Sequence, residues 1–213
     1  MVYCNNTLTI RRFVAVSRLN QSINILQLVR CLSALHTLFS LNGLALNPSK
    51  YEVILMGTRQ RSASHPSLSN ISVAGSTVPF SPQVKLLDVT LNNSHSLNKN
   101  VASVSKSCFF HLRALQHIRH TLTDDAAKTI ARSLVGSRLD YANPVLVGTS
   151  SKNINRMQHI HNTLVRIVMK IPHDQTCNVS TKHLLSTLHW LPVRRRIDFK
   201  IKLKTHYFQL AFC

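Results

Sequence analysis

The spacing of apolar residues changes twice along the chain. Over about residues 20–41 apolar side chains recur every three or four positions, which predicts one long helix that ends before Gly43. Over about residues 51–91 they fall in short β-branched runs separated by glycine, proline and serine, a pattern typical of strands. From residue 98 onward the helical spacing returns. We therefore expect a predominantly α protein of the α+β class, with a long helix, a small antiparallel β element at about 51–91, and a helical bundle.

Three short segments make up the expected β element. Residues 51–56 predict a buried strand, because they are rich in Val, Ile and Leu and are followed by glycine. Residues 58–70 are rich in serine and proline and predict a mobile loop. Residues 71–78 predict a hairpin around Gly75, and residues 84–91 predict one further strand.

The helix predicted from residue 98 to residue 120 separates an apolar face from a basic face more clearly than any other segment of the sequence. Its apolar stripe consists of Val101, Val104, Cys108, Leu112, Leu115 and Ile118. On roughly the opposite side lie the basic residues Lys99, Lys106, Arg113, His117 and His120. No acidic residue occurs between positions 99 and 120, so ion pairs one helical turn apart cannot explain this stripe. Two interpretations stay open, a solvated face and a phosphate-binding face.

Further helices are predicted by their capping signals. Thr123, followed by Asp124 and Asp125, predicts a helix start, which explains the two carboxylates better than a metal site does, because neighbouring helical residues diverge by about 100°. We expect this helix to end at Gly136, and another to begin after Ser150 or Ser151. In a last helix, after Pro192, we expect Ile197, Ile201 and Tyr207 inside, and Arg194, Arg195, Arg196, Lys200, Lys202 and Lys204 largely outside.

The charge balance points to an acidic partner. The 213 residues include 26 Lys and Arg but only 7 Asp and Glu, which gives a formal net charge of +19. Nucleic acid and anionic membrane surfaces are the usual partners of so basic a chain. The chain contains only one glutamate and six aspartates, which disfavours acid/base dyads and metal sites built from several carboxylates.

Several other classes of site and location are disfavoured. The five glycines form no phosphate-binding loop, and no G-x-S-x-G motif occurs. The pairs Cys108/His111 and His117/His120 have metal-ligand spacing but lack a third and fourth ligand nearby. No long apolar run, secretion signal or C-x-x-C pair is present, so we expect a soluble protein in the nucleus or cytoplasm, neither secreted nor in a membrane.

Five segments, which follow one another in a fixed order, carry a family resemblance. They are LNPSKYE at 46–52, VKLLDVTL at 84–91, KSCFFHLR at 106–113, SRLDYAN at 137–143 and LHWLPV at 188–193. Together they resemble the C-terminal part of the jockey-type reverse transcriptases that non-LTR retrotransposons encode. The resemblance runs from about residue 14 to residue 210.

The resemblance implies a fragment of a right-hand polymerase. Residues 1–92 would be a partial palm with a primer-grip-like strand at 84–91, and Lys50 would match a lysine of the family. Residues 93–213 would be the helical thumb and the region beyond it. The basic helix would then lie along a template–primer duplex of RNA and DNA, and Arg194, Arg195 and Arg196 would add to nucleic-acid binding.

Departures from the family pattern imply that this fragment is catalytically inactive. Where the family has Tyr/Phe-Ala-Asp-Asp-Thr, this chain has Tyr3, Cys4, Asn5 and Asn6 before a threonine. Amides are neutral ligands and cannot offset the charge of the two Mg²⁺ ions that the intact family uses, so we expect no cofactor in this fragment. Asp88 also stands where the family usually has glycine, and Tyr51 replaces a usual threonine.

Three hypotheses follow from these observations. The chain is an inactive fragment of an RNA-directed DNA polymerase, or a basic nucleic-acid-binding module retained for affinity without catalysis, or a helical interaction protein whose charge is incidental. Palm strands at 51–56 and 84–91 without their sheet neighbours favour the first hypothesis. Salt-dependent binding to a hybrid duplex would favour the second, and no binding at all would leave the third.

Overall fold

The fold belongs to the α+β class and is predominantly helical, as the sequence predicts. The computed structural model describes residues 23–44, 51–54, 70–73, 75–94, 96–171 and 180–212. The chain divides into two compact units, residues 1–95 and 96–213. This division falls close to the predicted boundary at residue 92, although the palm and thumb identities of the two parts stay predictions.

The first unit contains one long helix and a β-hairpin that packs against it. Helix α1 spans Ile23–Leu41, and strands β1 (Asn70–Val73) and β2 (Ser76–Pro79) pair antiparallel, which confirms both the helix and the hairpin predicted around Gly75. Gly75 has a φ of 76°, a conformation that glycine adopts without strain. The small core consists of the buried Ile71, Val73 and Val78, packed against Val29, Leu32, Tyr51, Val53 and Phe80.

The strand predicted at 51–56 is only partly described. Within residues 51–54, Val53 forms an isolated parallel bridge with Phe80, and no longer ladder is formed there. The rest of this segment, and almost all of the loop predicted at 58–70, lie outside the described residues.

Residues 84–91 form a tight hairpin, so the prediction of a single strand there was wrong. Strand β3 (Gln83–Leu86) pairs antiparallel with β4 (Val89–Asn92). The two turn residues, Leu87 and Asp88, have φ values of 46° and 66°. Two consecutive residues with positive φ are typical of a type I′ hairpin turn, in which glycine, asparagine and aspartate are preferred. Aspartate is one of the residues that fit this backbone at position 88.

Asp88 is also paired within its own turn. Lys85 Nζ lies 2.6 Å from Asp88 Oδ1, and both side chains are exposed. The hydrogen bond from Lys85, together with its charge, lowers the pKa of the Asp88 carboxyl. This aspartate is therefore partly neutralised by its neighbour, although an exposed pair of this kind contributes little to stability.

The second unit is built on the packing of two long helices. These are α2, which spans Asn98–Ile118, and α5, which spans Ser151–Val168. Between them lie the short helix α3 (Asp124–Ala131), a π-helical stretch and the short helix α4 (Ser137–Asp140). The buried residues of α2 are Val101, Ser105, Cys108, Leu112 and Leu115. Those of α5 include Met157, Ile160, Leu164, Val165 and Val168. The apolar stripe predicted for α2 is thus confirmed, except that Ile118, at its end, is exposed.

The predicted N-caps of α3 and α5 are confirmed, whereas the predicted end of the first of these helices is wrong. Thr123 Oγ1 accepts a hydrogen bond from the Ala126 N–H at 3.3 Å, and Ser150 Oγ accepts one from the Asn153 N–H at 3.4 Å. The chain does not leave the helix at Gly136. It passes through π-helical turns over Arg132–Gly136 into α4 instead.

A buried arginine joins the ends of α2, α3 and α5. Arg119 Nε and Nη2 donate to the Val168 carbonyl at 3.0 and 2.6 Å, and Nη2 also lies 2.6 Å from Asp124 Oδ1. Nη1 donates to the Leu122 carbonyl at 3.0 Å. The cation satisfies the Val168 carbonyl at the C-terminus of α5 and complements the negative end of the helix dipole. Its hydrogen bond lowers the pKa of Asp124.

Two further helices complete the described part of the second unit. Helix α6 spans Thr181–Thr187, and helix α7 spans Val193–Phe212. Between them Trp190 is buried and stacks on His161 of α5, with ring centroids 5.7 Å apart and an interplanar angle of 11°. His161 is fully buried, and neither of its ring nitrogens has a hydrogen-bond partner among the residues that the structure describes. Burial, and to a lesser extent the charge of Arg196, lowers the pKa of His161 to about 4.

We expect this histidine to make the second unit acid-sensitive. In the unfolded chain His161 titrates near its ordinary pKa of about 6.5, so between that pH and about 4 the unfolded state binds the extra proton. Stability should fall as the pH drops through this window, by up to about 3 kcal/mol from this one group. Replacing His161→Phe, which keeps an aromatic ring against Trp190, should remove this part of the pH dependence.

Urea unfolding followed by the fluorescence of Trp190, the only tryptophan, measures this effect between pH 7.5 and pH 4. An equal loss of stability in the wild-type and His161→Phe proteins across this range would show that His161 is not the group responsible.

Candidate nucleic-acid interface

Helix α2 presents a row of cations to solvent because its opposite side is buried. Its 21 residues extend for about 30 Å. Lys99, Lys106, Arg113 and His117 are exposed on the side away from the buried stripe, and His120 is exposed in the single 3-10 turn that follows. We name these five residues the cationic face. The structure therefore brings the predicted residues of α2 onto one side of the helix, and their contact with nucleic acid stays a prediction.

Four aspartates of the described chain are paired with basic residues outside the cationic face. In the described part of the chain the ion pairs are Lys85–Asp88, Arg119–Asp124, Lys128–Asp125 and Arg196–Asp140. Neither Lys106 nor Arg113 belongs to any of these four pairs. Lys106 and Arg113 make no hydrogen bond or ion pair with any described residue. Their charges are therefore available to an external anion.

Two residues that the sequence did not single out belong to this surface. Phe110 lies in the middle of the cationic face, one turn from both Lys106 and Arg113, and 70% of it is exposed. Arg138 of α4 reaches the flank of α2, where its Nε donates to Ser107 Oγ at 3.0 Å. A helical wheel places Phe110 on the exposed side, so its position could have been found from the spacing alone. The position of Arg138 depends on how α4 packs and could not.

Cys108 and His111, which have metal-ligand spacing, lie in different environments. Cys108 points into the core, and burial raises the pKa of its thiol to about 11, so it stays protonated at neutral pH. A thiol ligand must be deprotonated. His111 is half-buried beside it, with its pKa lowered by desolvation and by the charge of Arg138. Across the described residues, no three His, Cys, Asp or Glu side chains come together as a metal site.

The three arginines at the start of α7 have different environments. Arg194 and Arg195 are exposed, but the side chain of Arg196 is only 17% exposed and its Nη1 lies 3.0 and 3.1 Å from the two oxygens of Asp140. One turn later, Lys200 Nζ donates to the Asp140 carbonyl at 2.6 Å. The prediction that these residues lie outside was wrong for Arg196 and Lys200, because both fasten α7 to the end of α4.

The far half of α7 lies away from the core of its unit. Residues 202–211 are exposed, and Tyr207, which we expected inside, is 61% exposed. Ile197 is buried and Ile201 half-buried, as predicted. Lys202 and Lys204 are exposed, also as predicted.

The residues that carry the catalytic part of the family resemblance cannot be placed. Tyr3, Cys4, Asn5, Asn6 and Lys50 lie outside the described residues. The interpretation of this segment as a degenerate catalytic hairpin therefore stays a prediction.

Comparisons with known proteins do not assign this chain to a family. No protein-family model, curated protein or solved structure matches it. Among the described helices, none is long and apolar enough to cross a membrane. The geometry of α2 and the five segments described above are the features of this chain that bear on its function.

Proposed function

We propose that this chain is a catalytically inactive fragment of a jockey-type retrotransposon reverse transcriptase, and that it binds nucleic acid through the cationic face of α2. The single observation that carries the binding role is a helix whose exposed side, continued into the following 3-10 turn, bears five basic residues and no acid. The five family-like segments support the origin of the fragment. The template–primer duplex is the partner that this origin implies.

The arrangement suits a phosphate backbone better than a merely solvated surface. Solvated helix faces usually mix both signs of charge, which stabilise each other one turn apart. On α2 the charged Lys99, Lys106 and Arg113 follow one another at intervals of two turns, and no acid on the helix offsets their repulsion. A polyanion would relieve this repulsion and release its own counterions, which favours binding without base recognition.

A second candidate function is a basic module retained for binding alone. Helix α2 and its packing partners α3, α4 and α5 all belong to the unit formed by residues 96–213. The described elements that pack most closely against α2 therefore belong to the same unit as the cationic face. Such a module would bind nucleic acid in the same way, whatever the origin of residues 1–95.

We expect no primer extension by this protein on an RNA template with Mg²⁺ or Mn²⁺. By the resemblance, Asn5 and Asn6 replace the metal-binding aspartates, and neutral amides cannot hold the two ions beside a triphosphate. An active reverse transcriptase, assayed on the same template, is the positive control. Template-dependent incorporation of nucleotides by the purified protein would contradict the proposal of an inactive fragment.

We expect binding to a template–primer duplex to be independent of sequence and to weaken steeply with salt. The logarithm of the affinity should fall with that of the salt concentration by about 0.9 for each phosphate neutralised. In the variant Lys106→Ser/Arg113→Ser the slope should become shallower by roughly two, because two phosphate contacts are lost.

The matched control is Arg194→Ser/Arg195→Ser, which removes the same charge from exposed positions on α7. Fluorescence anisotropy over a range of salt concentrations measures both slopes. If the salt dependence of the affinity becomes shallower in the α7 variant but stays as in wild type in the α2 variant, the cationic face is only a solvated surface.

A further inference from the structure

Phe110 is an exposed aromatic residue in the centre of the cationic face. The two adjacent phenylalanines of α2 differ in their environments. Phe109 is half-buried, with its ring centroid 6.3 Å from that of His159 on α5. Phe110 is 70% exposed, and the ring of His111 lies edge-on to it at 5.2 Å. The helix thus offers solvent one aromatic ring with a cation one turn away on each side.

An exposed phenylalanine on its own needs no explanation, since folded proteins expose many apolar atoms. The position of this one is informative because Lys106 and Arg113 flank it and neither is bound to another described residue. From Lys106 to Arg113 the helix advances about 10 Å, which is the length of roughly three stacked nucleotides. Aromatic rings set among cations are the usual binding surface for unpaired nucleic acid.

We propose that the cationic face binds a single-stranded segment of nucleic acid, with an unpaired base stacked on Phe110 and the neighbouring phosphates held by Lys106 and Arg113. This inference depends on the proposed function and names the form of nucleic acid that the same site prefers. In a duplex each base is covered on both faces by its stacked neighbours. Phe110 could therefore stack on a base there only by inserting between two base pairs. Stacking on a phenyl ring does not distinguish the bases, in keeping with binding that is independent of sequence.

The test compares three probes of equal length: an oligothymidylate, the same strand without bases, and a duplex. We expect Phe110→Ala in the full chain to weaken binding to oligothymidylate by about tenfold, the usual effect of losing one stacked base. Binding to the abasic strand and to the duplex should change less than twofold, because both are held by phosphate contacts alone. Fluorescence anisotropy at one fixed salt concentration measures all three affinities.

Phe110→Leu is the matched control, since leucine keeps an apolar side chain but has no ring. It should lose about as much affinity for oligothymidylate as the alanine variant does. If the leucine variant binds like wild type, the contact is apolar rather than aromatic and the inference is wrong. Because Phe110 is exposed, both variants should keep the wild-type circular dichroism spectrum and melting temperature.

The outcomes separate this inference from the proposed function. If Phe110→Ala weakens the three probes equally, or weakens none, stacking is overturned. The proposed function then still holds, provided that Lys106→Ser/Arg113→Ser weakens all three. If that double variant binds every probe like wild type, or if the wild-type protein binds none of them, the nucleic-acid role itself is wrong and the inference fails with it.

Discussion

The burial of one face of α2 against α5 fixes the orientation of α2 and therefore decides which side chains reach solvent. Val101, Cys108, Leu112 and Leu115 occupy the buried stripe, and each large apolar side chain contributes about 1.5–3 kcal/mol through its removal from water. A rotation of the helix would expose this stripe and bury the cations. Arg119, at the end of α2, adds a second constraint, because it hydrogen-bonds to the last turn of α5. The cationic face is thus a consequence of how the core packs.

The distribution of the few acidic residues explains why this face keeps its charge. Asp124 and Asp140 pair with Arg119 and Arg196, and both pairs join separate elements of the second unit. Asp140 in particular accepts bonds from Arg196 and Asn143, while its carbonyl accepts one from Lys200. Asp124 and Asp140 are therefore engaged in structural ion pairs and do not neutralise the cationic face. The cations of α2 are left without an acidic neighbour on their own helix, and the excess charge becomes a property of one side of the unit.

Much of the fold could be predicted from local signals, whereas features set by tertiary contacts could not. The apolar period located α2, and hydroxyl residues located the N-caps of α3 and α5. The hairpin at 84–91 was missed because Leu87 and Asp88 lack the Asn-Gly pattern that usually marks two left-handed turn residues. A helical wheel placed Arg196 and Lys200 outside because it cannot show that Asp140 of another helix lies within reach. It also placed Tyr207 inside, although no described element covers that part of α7.

The central claim is that nucleic acid lies along α2 rather than along α7. The most direct test is lysine acetylation read by mass spectrometry, with and without a saturating oligonucleotide. Lys106 is exposed on the cationic face, and Lys202 and Lys204 are exposed on α7, so all three should react in the free protein. The account predicts that bound nucleic acid protects Lys106 several-fold and leaves the other two unchanged. Protection of Lys202 and Lys204 with unchanged reactivity at Lys106 would contradict it.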